Sequence, residues 1–332
     1  MNNTLTAIKG LLVGHYTDLE AATGCTVIIC PEGVVTGVDV RGSSPGTRGA
    51  ALLNPVNSAP VVHAILLTGG SAYGLDAAGG VMRWLEEKNI GFDVTVGVVP
   101  IVSAAVLFDL VIGRFDVRPG PTEGYAACQT ATAEPVAEGN VGAGTGATVG
   151  KVLGPPQATK GGIGSASCKI AGGITVAALV AVNAFGDVVA SGDDKIIAGA
   201  RNPAGGGFVN TVKRIHGDLS GTMLDYGQNT TLAVVATDAV LTNAEATKVA
   251  QMAHDGLAQT IRPVHTMLDG DAVFALSTGQ AGKTADINAI GVVAASVLAK
   301  AVIRAVDQAE GLAGIPAANE LKDVERSGKS TV

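Results

Sequence analysis

Short apolar runs bounded by glycine, proline and asparagine alternate along this chain with stretches whose apolar residues recur every three or four positions. The short runs predict strands at residues 11–15, 25–30 and 34–40, the last two joined by a turn at Pro31-Glu32-Gly33, and a further strand at 64–68. After Gly69-Gly70, Ser71 reads as the N-cap of a helix reaching about Lys88, with Leu75, Val81, Met82 and Leu85 along one stripe. A strand is expected at 94–99. Residues 120–173 are dense in glycine and read as loops and short strands, and 175–182 and 188–190 read as a strand pair around Asn183-Ala184-Phe185-Gly186. Thr242 and Glu245 stand at capping-box spacing, which predicts a helix from Asn243 to about Gln259. Residues 270–277 read as a strand. A long helix from Asp286 to about Gln308 is apolar on most faces, as a helix between layers or at a subunit contact would be. No repeat or separating linker is visible, and the tail after Gly311 reads as polar and loose.

Composition sharpens this picture. The 332 residues are 47% hydrophobic but only 3% aromatic, with 46 glycines. Such a core is built from Ala, Val, Ile and Leu in close contact, and the mixture of β-branched runs with alanine-rich periodic ones predicts a layered α/β fold. The net charge of −7 comes with no basic block, so the counterion-replacing footprint of a nucleic-acid binder is missing. Cys25, Cys30, Cys128 and Cys168 form no CxxC pair; they read as buried free thiols of a reducing compartment, not as zinc ligands. The N-terminus lacks a signal-peptide layout, and the uncharged runs at 96–108 and 170–186 fall short of a bilayer span. A soluble, cytoplasmic protein with no membrane partner is expected.

Three places carry candidate chemistry. Gly69-Gly70-Ser71-Ala72-Tyr73 lies between a strand and a helix, as a nucleophile elbow does, but Tyr73 stands where that motif needs glycine; helix capping explains Ser71 equally well. His15, His63, His216, His254 and His265 show no metal-ligand spacing and read as structural or surface groups, although a triad assembled in space leaves no trace in spacing. The third place is Asn229-Thr230-Thr231, two hydroxyl side chains at the start of an apolar strand. A turn entering a strand accounts for it. So does self-cleavage: the Thr230 hydroxyl attacks the carbonyl before it, the resulting ester hydrolyses, and Thr230 is left with a free α-amine. With an ordinary pKa of about 7.7–8.0, that amine can serve as general base for its own hydroxyl.

Several segments together resemble the L-aminopeptidase/D-esterase-type peptidases and their relatives, the nylon-oligomer hydrolases. They are Gly14-His15-Tyr16-Thr17-Asp18, Thr23-Gly24-Cys25-Thr26-Val27, Leu67-Thr68-Gly69-Gly70-Ser71-Ala72-Tyr73-Gly74-Leu75, Val99-Pro100-Ile101-Val102, Ala178-Leu179-Val180-Ala181-Val182-Asn183, Asn229-Thr230-Thr231, and His265-Thr266 with Asp269-Gly270-Asp271. They run in family order over nearly the whole chain. The resemblance implies a four-layer αββα sandwich of N-terminal-nucleophile-hydrolase type. It implies one domain over residues 1–332, made as a precursor and cut by itself into 1–229 and 230–332. By position Thr230 matches the nucleophile, Asn183 the oxyanion-hole amide, and Asp269 and Asp271 the acceptors that orient the new amine and hydroxyl. Lys151, in Thr148-Val149-Gly150-Lys151, matches the lysine of the nylon-hydrolase branch.

Each role has a physical basis. A side-chain amide donates N–H to a developing oxyanion without a change of charge, carboxylates hold an amine, and a nearby cation lowers its proton affinity. The Asn229-Thr230 junction and the Asp-x-Asp pair depart from the Gly-Ser and Ser-x-Glu of the aminopeptidase branch, and Phe108 stands where some relatives have a tyrosine donor. The expectation is a self-processing amidase for linear amides such as 6-aminohexanoate oligomers, without cofactor or metal. Its processed heterodimers are expected to form a homo-oligomer, a tetramer. An aminopeptidase for small or β-peptides, an uncleaved binding or assembly protein, and a serine hydrolase using Ser71 are the competing readings.

Overall fold

The computed structural model describes residues 2–58, 61–217 and 229–321. Eight strands carry the architecture: β1 (Leu12–Asp18), β2 (Thr23–Val40), β3 (Val62–Thr68), β4 (Val102–Val106), β5 (Gly162–Lys169), β6 (Thr175–Asn183), β7 (Thr230–Thr237) and β8 (Ala272–Ser277). Four longer helices pack on them: α1 (Ala77–Glu87), α2 (Pro121–Gln129), α3 (Asn243–Thr260) and α4 (Ile287–Asp307). The strands follow one hydrogen-bonded path, β5-β6-β7-β8-β2-β3-β4, closed at one edge by Gly46–Arg48, with β1 beside β2. The β7–β8 and β3–β4 pairs are parallel and the other pairings on the path antiparallel.

β2 joins two sheets. Its first half pairs with β1 and β3, whereas Val35 to Val40 pair with β8. Period-two alternation then sorts side chains into layers. In β6, Val176, Ala178, Val180 and Val182 pack with residues of α3 and α4, while Ala177, Leu179 and Ala181 face the middle. In β3, Ala64 and Leu66 pack with Ala77, Val81 and Leu85 of α1, while Ile65 and Leu67 face the middle. The two inner faces share one core with Leu232, Val234, Phe274 and Leu276. The expected αββα order is therefore present: α1 and α2, sheet, sheet, α3 and α4.

Helix ends follow local chemistry. Glu245 Oε2 accepts from the Thr242 N–H at 2.7 Å, the predicted capping box, and these bonds hold the Glu245 carboxyl below its ordinary range. Asp286 caps α4 by accepting from the Asn288 N–H at 2.7 Å. By length and composition α4 could cross a membrane, but it buries Ile290, Ala294, Val297, Leu298 and Ala301 in the core shared with β5, β6 and α3.

Elsewhere the local pattern misled. Pro31-Glu32-Gly33 is not a turn: β2 runs through it, and a register shift between Ile29 and Val34, with Gly33 at φ +71°, bends the strand where it changes sheets. Ser71 caps nothing with its side chain; a 3₁₀ turn over Ser71–Asp76 precedes α1. The strand expected at 94–99 is the small pair Phe92–Asp93 and Val98–Val99, whose members are mostly exposed, and the core strand is β4. Asp187–Val189 does not pair with β6 but joins Ile196–Ala198 and Ile261–Arg262 in a separate sheet. The glycine-dense region holds α2 and the eight-residue β5. Past Gly311 the chain packs: Ile315, Ala317 and Ala318 are buried; residues 322–332 lie outside the described set. Cys25, Cys30 and Cys128 are buried free thiols, Cys168 only partly so.

Candidate active site

Strand pairing assembles the site at one end of the inner sheet. The antiparallel β6–β7 register sets Asn183 opposite Thr230, and a parallel bridge between Asn229 and Asp269 continues the β7–β8 pairing three residues before its first pair, Leu232 and Ala272. Asn229, Thr230, Asn183, Asp269, Asp271 and Lys151 are all buried. Lys151 arrives on a segment pinned to the turn after β6: Gly150 N donates to Gly186 O and Lys151 N to Phe185 O, each at 3.0 Å. The five side chains singled out in the sequence thus meet in one place.

At the Asn229–Thr230 junction the Thr230 hydroxyl donates to the carbonyl oxygen of Asn229. The same oxygen accepts the Gly270 N–H at 2.9 Å. A side chain at position 270 would intrude here, since its Cβ would lie 2.8 Å from Thr230 Oγ1 and 2.6 Å from Ser44 O.

Asn183 is fixed on three sides. Its Oδ1 accepts from Lys151 Nζ at 2.7 Å and from the Thr148 N–H at 3.0 Å, and its Nδ2 donates to Phe108 O at 3.0 Å. Donors on one end of the amide and an acceptor on the other leave a single sensible orientation. Phe108 contributes through its carbonyl, a role indifferent to the loss of a tyrosine hydroxyl. Lys151 Nζ also donates to Asn183 O at 3.0 Å. Burial pulls the Lys151 ammonium down to about 7, Asp269 opposing and nearby Lys160 assisting.

The two carboxylates hold neighbouring backbone N–H groups and the side chains of Thr266 and His265, not the Thr230 side chain. Asp269 Oδ1 accepts from the Phe185 N–H at 3.2 Å, and its Oδ2 from Thr266 N at 3.1 Å and Thr266 Oγ1 at 2.5 Å. Asp271 Oδ1 accepts from the Thr231 N–H at 2.6 Å, and its Oδ2 from His265 N and Nδ1 at 3.1 and 2.8 Å. In the uncut chain the Thr230 nitrogen is still an amide, so no terminal amine exists for them to orient. Burial first, and then Asp271, pushes the Asp269 carboxyl up to about 6.

Three participants lie outside the set of catalytic candidates that the sequence offers. Gly270 and Phe108 act through backbone atoms, which no residue pattern announces. Lys160, fully buried, donates from Nζ to Thr145 O at 2.8 Å and Ala147 O at 2.7 Å, bracing the segment that delivers the Thr148 N–H to Asn183. Burial lowers its ammonium to about 7, with Asp109 opposing. His265, read as structural, touches Asp271 directly. Ser71, at φ +53°, opens the 3₁₀ turn, and its N–H donates to Leu107 O at 3.0 Å, next to the Phe108 carbonyl on Asn183. The segment before it is tied down by Asp109, which accepts from the Gly70 N–H at 2.8 Å and the Thr23 hydroxyl at 2.7 Å.

Residues 3–319 match peptidase family S58. An uncharacterized aminopeptidase of Mycobacterium leprae is 46% identical, the alignment covering 95% of this chain and 92% of the relative. The 6-aminohexanoate-oligomer endohydrolase of a Kocuria species is 29% identical over 89% of this chain and 84% of its own. Among solved structures, the L-aminopeptidase D-Ala-esterase/amidase of Ochrobactrum anthropi, described as a variant of the Ntn-hydrolase fold, superposes with a TM-score of 0.72. At 20% identity it covers 98% of this chain and 94% of its own, and speaks for the fold alone. With a match over almost its full length, this chain belongs to peptidase family S58 and is a hydrolase of amide bonds.

Proposed function

We propose that the chain cuts itself between Asn229 and Thr230 and then hydrolyses short linear amides with the Thr230 hydroxyl as nucleophile. The observation carrying this reading is the junction: a buried threonine hydroxyl lies against the carbonyl of the preceding residue, and the Gly270 N–H is already on that carbonyl's oxygen. Thr230 Oγ1 attacks the Asn229 carbonyl carbon, and its proton passes to a base. Lys151, with its proton affinity brought near neutrality by burial, suits that part. Negative charge develops on Asn229 O, where the Gly270 N–H stabilises it. The C–N bond breaks, the departing nitrogen takes up a proton, and an ester links Asn229 to the threonine oxygen. Water hydrolyses the ester, leaving Asn229 with a carboxylate and Thr230 with an α-amine.

In the cut enzyme that amine takes the hydroxyl proton as Thr230 attacks the substrate carbonyl, and passes it to the leaving amine. The Asn183 amide steadies the oxyanion, and Asp269 and Asp271 keep the new terminus in place. Water then releases the acyl group. β7 is hydrogen-bonded on both sides, by β6 and β8, which supports the reading: cutting its N-terminal end leaves the nucleophile on a rigid strand.

For substrate we favour oligomers of 6-aminohexanoate type, since the Asn-Thr junction, Lys151 and the Asp-x-Asp pair follow the nylon-hydrolase pattern. The Mycobacterium leprae relative, named an aminopeptidase, favours the second reading, an aminopeptidase activity. Hydrolysis of an N-blocked aminohexanoate oligomer, compared with an aminoacyl p-nitroanilide, separates the two: preference for the blocked oligomer supports the first, exclusive turnover of the free-amine anilide the second. A cytoplasmic homo-oligomer of processed pairs belongs to the same proposal, and light scattering on the purified enzyme reads its size.

A further inference from the structure

Behind Asp271 stands a line of groups that the self-cleavage scheme leaves unused. His265 has φ +57°, and this left-handed turn brings its main-chain N–H and its ring Nδ1 to the same carboxylate oxygen. Asp271 is fully buried, and its other oxygen holds the N–H of Thr231, one peptide from the nucleophile. The ring of His254, from α3, meets His265 edge-on, with centroids 4.8 Å apart and planes at 74°. His254 Nε2 faces Asp39 O at 3.1 Å and Asp39 Oδ2 at 3.5 Å.

The partners fix both tautomers. Nδ1 of His265 faces an acceptor-only carboxylate and carries the proton; Nε2 of His254 faces a carbonyl and carries one too. That leaves His265 Nε2 and His254 Nδ1 as bare lone pairs, the two ring atoms that have no hydrogen-bond partner. No buried N–H is wasted. Burial lowers the His254 imidazolium to about 4, consistent with a neutral ring. A neutral, close-packed ring behind His265 restricts how far it can swing.

We infer that His265 is a positioning residue of the catalytic centre: its ring and main chain clamp Asp271, which in turn fixes the strand entry carrying Thr230. This inference rests on the proposed nucleophile. Asp271 is faced by Asp269 from its own loop and His265 by His254 from α3; His254 in turn meets Asp39 of β2 and Arg41 just after it, and Lys151, from the segment pinned after β6, acts on Asp269. Of these groups, the His265 ring is the one whose removal takes a side-chain hydrogen-bond donor from Asp271. Loss of that donor leaves the carboxylate free to shift off the Thr231 N–H and loosens the strand entry.

His265→Asn and His265→Gln test this. The asparagine N–H can occupy the place of Nδ1 and its backbone tolerates positive φ, whereas the glutamine amide reaches toward the place of Nε2. Both keep a polar side chain of similar bulk. The readouts are the rate of self-cleavage and, separately, kcat and KM for an amide substrate, together with thermal unfolding of each variant. His265→Asn retains the wild-type rates; His265→Gln lowers kcat and the self-cleavage rate about ten-fold with KM little changed. Indistinguishable rates for wild type and both variants, or rates that follow only their unfolding temperatures, overturn the inference. Wild type run alongside keeps the two ideas apart: an active wild type that stays uncut contradicts the self-cleavage reading itself, whatever the histidine variants do.

Discussion

A lysine ammonium taken out of water loses its hydration, and in this site two lysines do so within one connected cluster. Lys151 and Lys160 are both brought to about 7, where an amine is half free to accept a proton. As pH rises through about 7 the Lys151 amine sheds its proton, so self-cleavage accelerates over that interval and levels off above it, a gel time course across pH being the check. Lys151→Met slows cleavage at pH 7 by about 10²–10⁴-fold, the usual worth of a general base, and Lys151→Arg does not rescue it because a guanidinium stays charged. Gly270→Ala places a methyl group 2.8 Å from Thr230 Oγ1, which displaces the hydroxyl; the same gel reports a slower cut with the fold retained. Thr230, Asn183, Lys151, Asp269 and Asp271 could be named as candidates only through the family resemblance, since each alone reads as a turn, a strand end or a solvated lysine. Lys160 was not legible: in the sequence it is one more lysine, and only packing shows that its head lies on two buried carbonyls.

Among the elements, those governed by their own residues matched expectation. α3 begins where Thr242 and Glu245 satisfy each other's N–H groups, and α4 where Asp286 accepts from Asn288. Thr242→Ala removes the α3 cap and costs about 0.5–2 kcal/mol, measurable as a lower urea midpoint with unchanged slope. Elements governed by distant partners were misread. The Pro31-Glu32-Gly33 stretch has turn composition, but pairing to β8 beyond it keeps the chain extended. Glycine-dense β5 looks like loop because glycine weakens a strand locally; here it lets α4 close on the sheet, a Cβ at Gly164 falling 2.0 Å from Ala301 O. Gly164→Ala therefore destabilises by about 1–3 kcal/mol or more through overpacking, read by the same denaturation.

Over the whole molecule, the proposed cut would fall between two pieces that cannot easily part. Residues 230–321 supply β7, α3, β8 and α4, and β7 lies between β6 from the first piece and β8 from its own. Most of one outer layer and the centre of one sheet would sit on the smaller fragment, packed through the core shared with β5 and β6. The account thus predicts fragments that co-elute in native buffer and separate only when unfolded. The strand and helix patterns showed a mixed layered fold, and the four-layer order came from the family resemblance; the change of sheet within β2 was not legible, since it depends on pairings far apart in sequence. Denaturing mass spectrometry of freshly purified, active enzyme tests the central claim most directly. The account predicts two polypeptides whose masses place the break between Asn229 and Thr230, and their absence from Thr230→Ala. A fully active preparation containing only the intact chain of 32.9 kDa would contradict it.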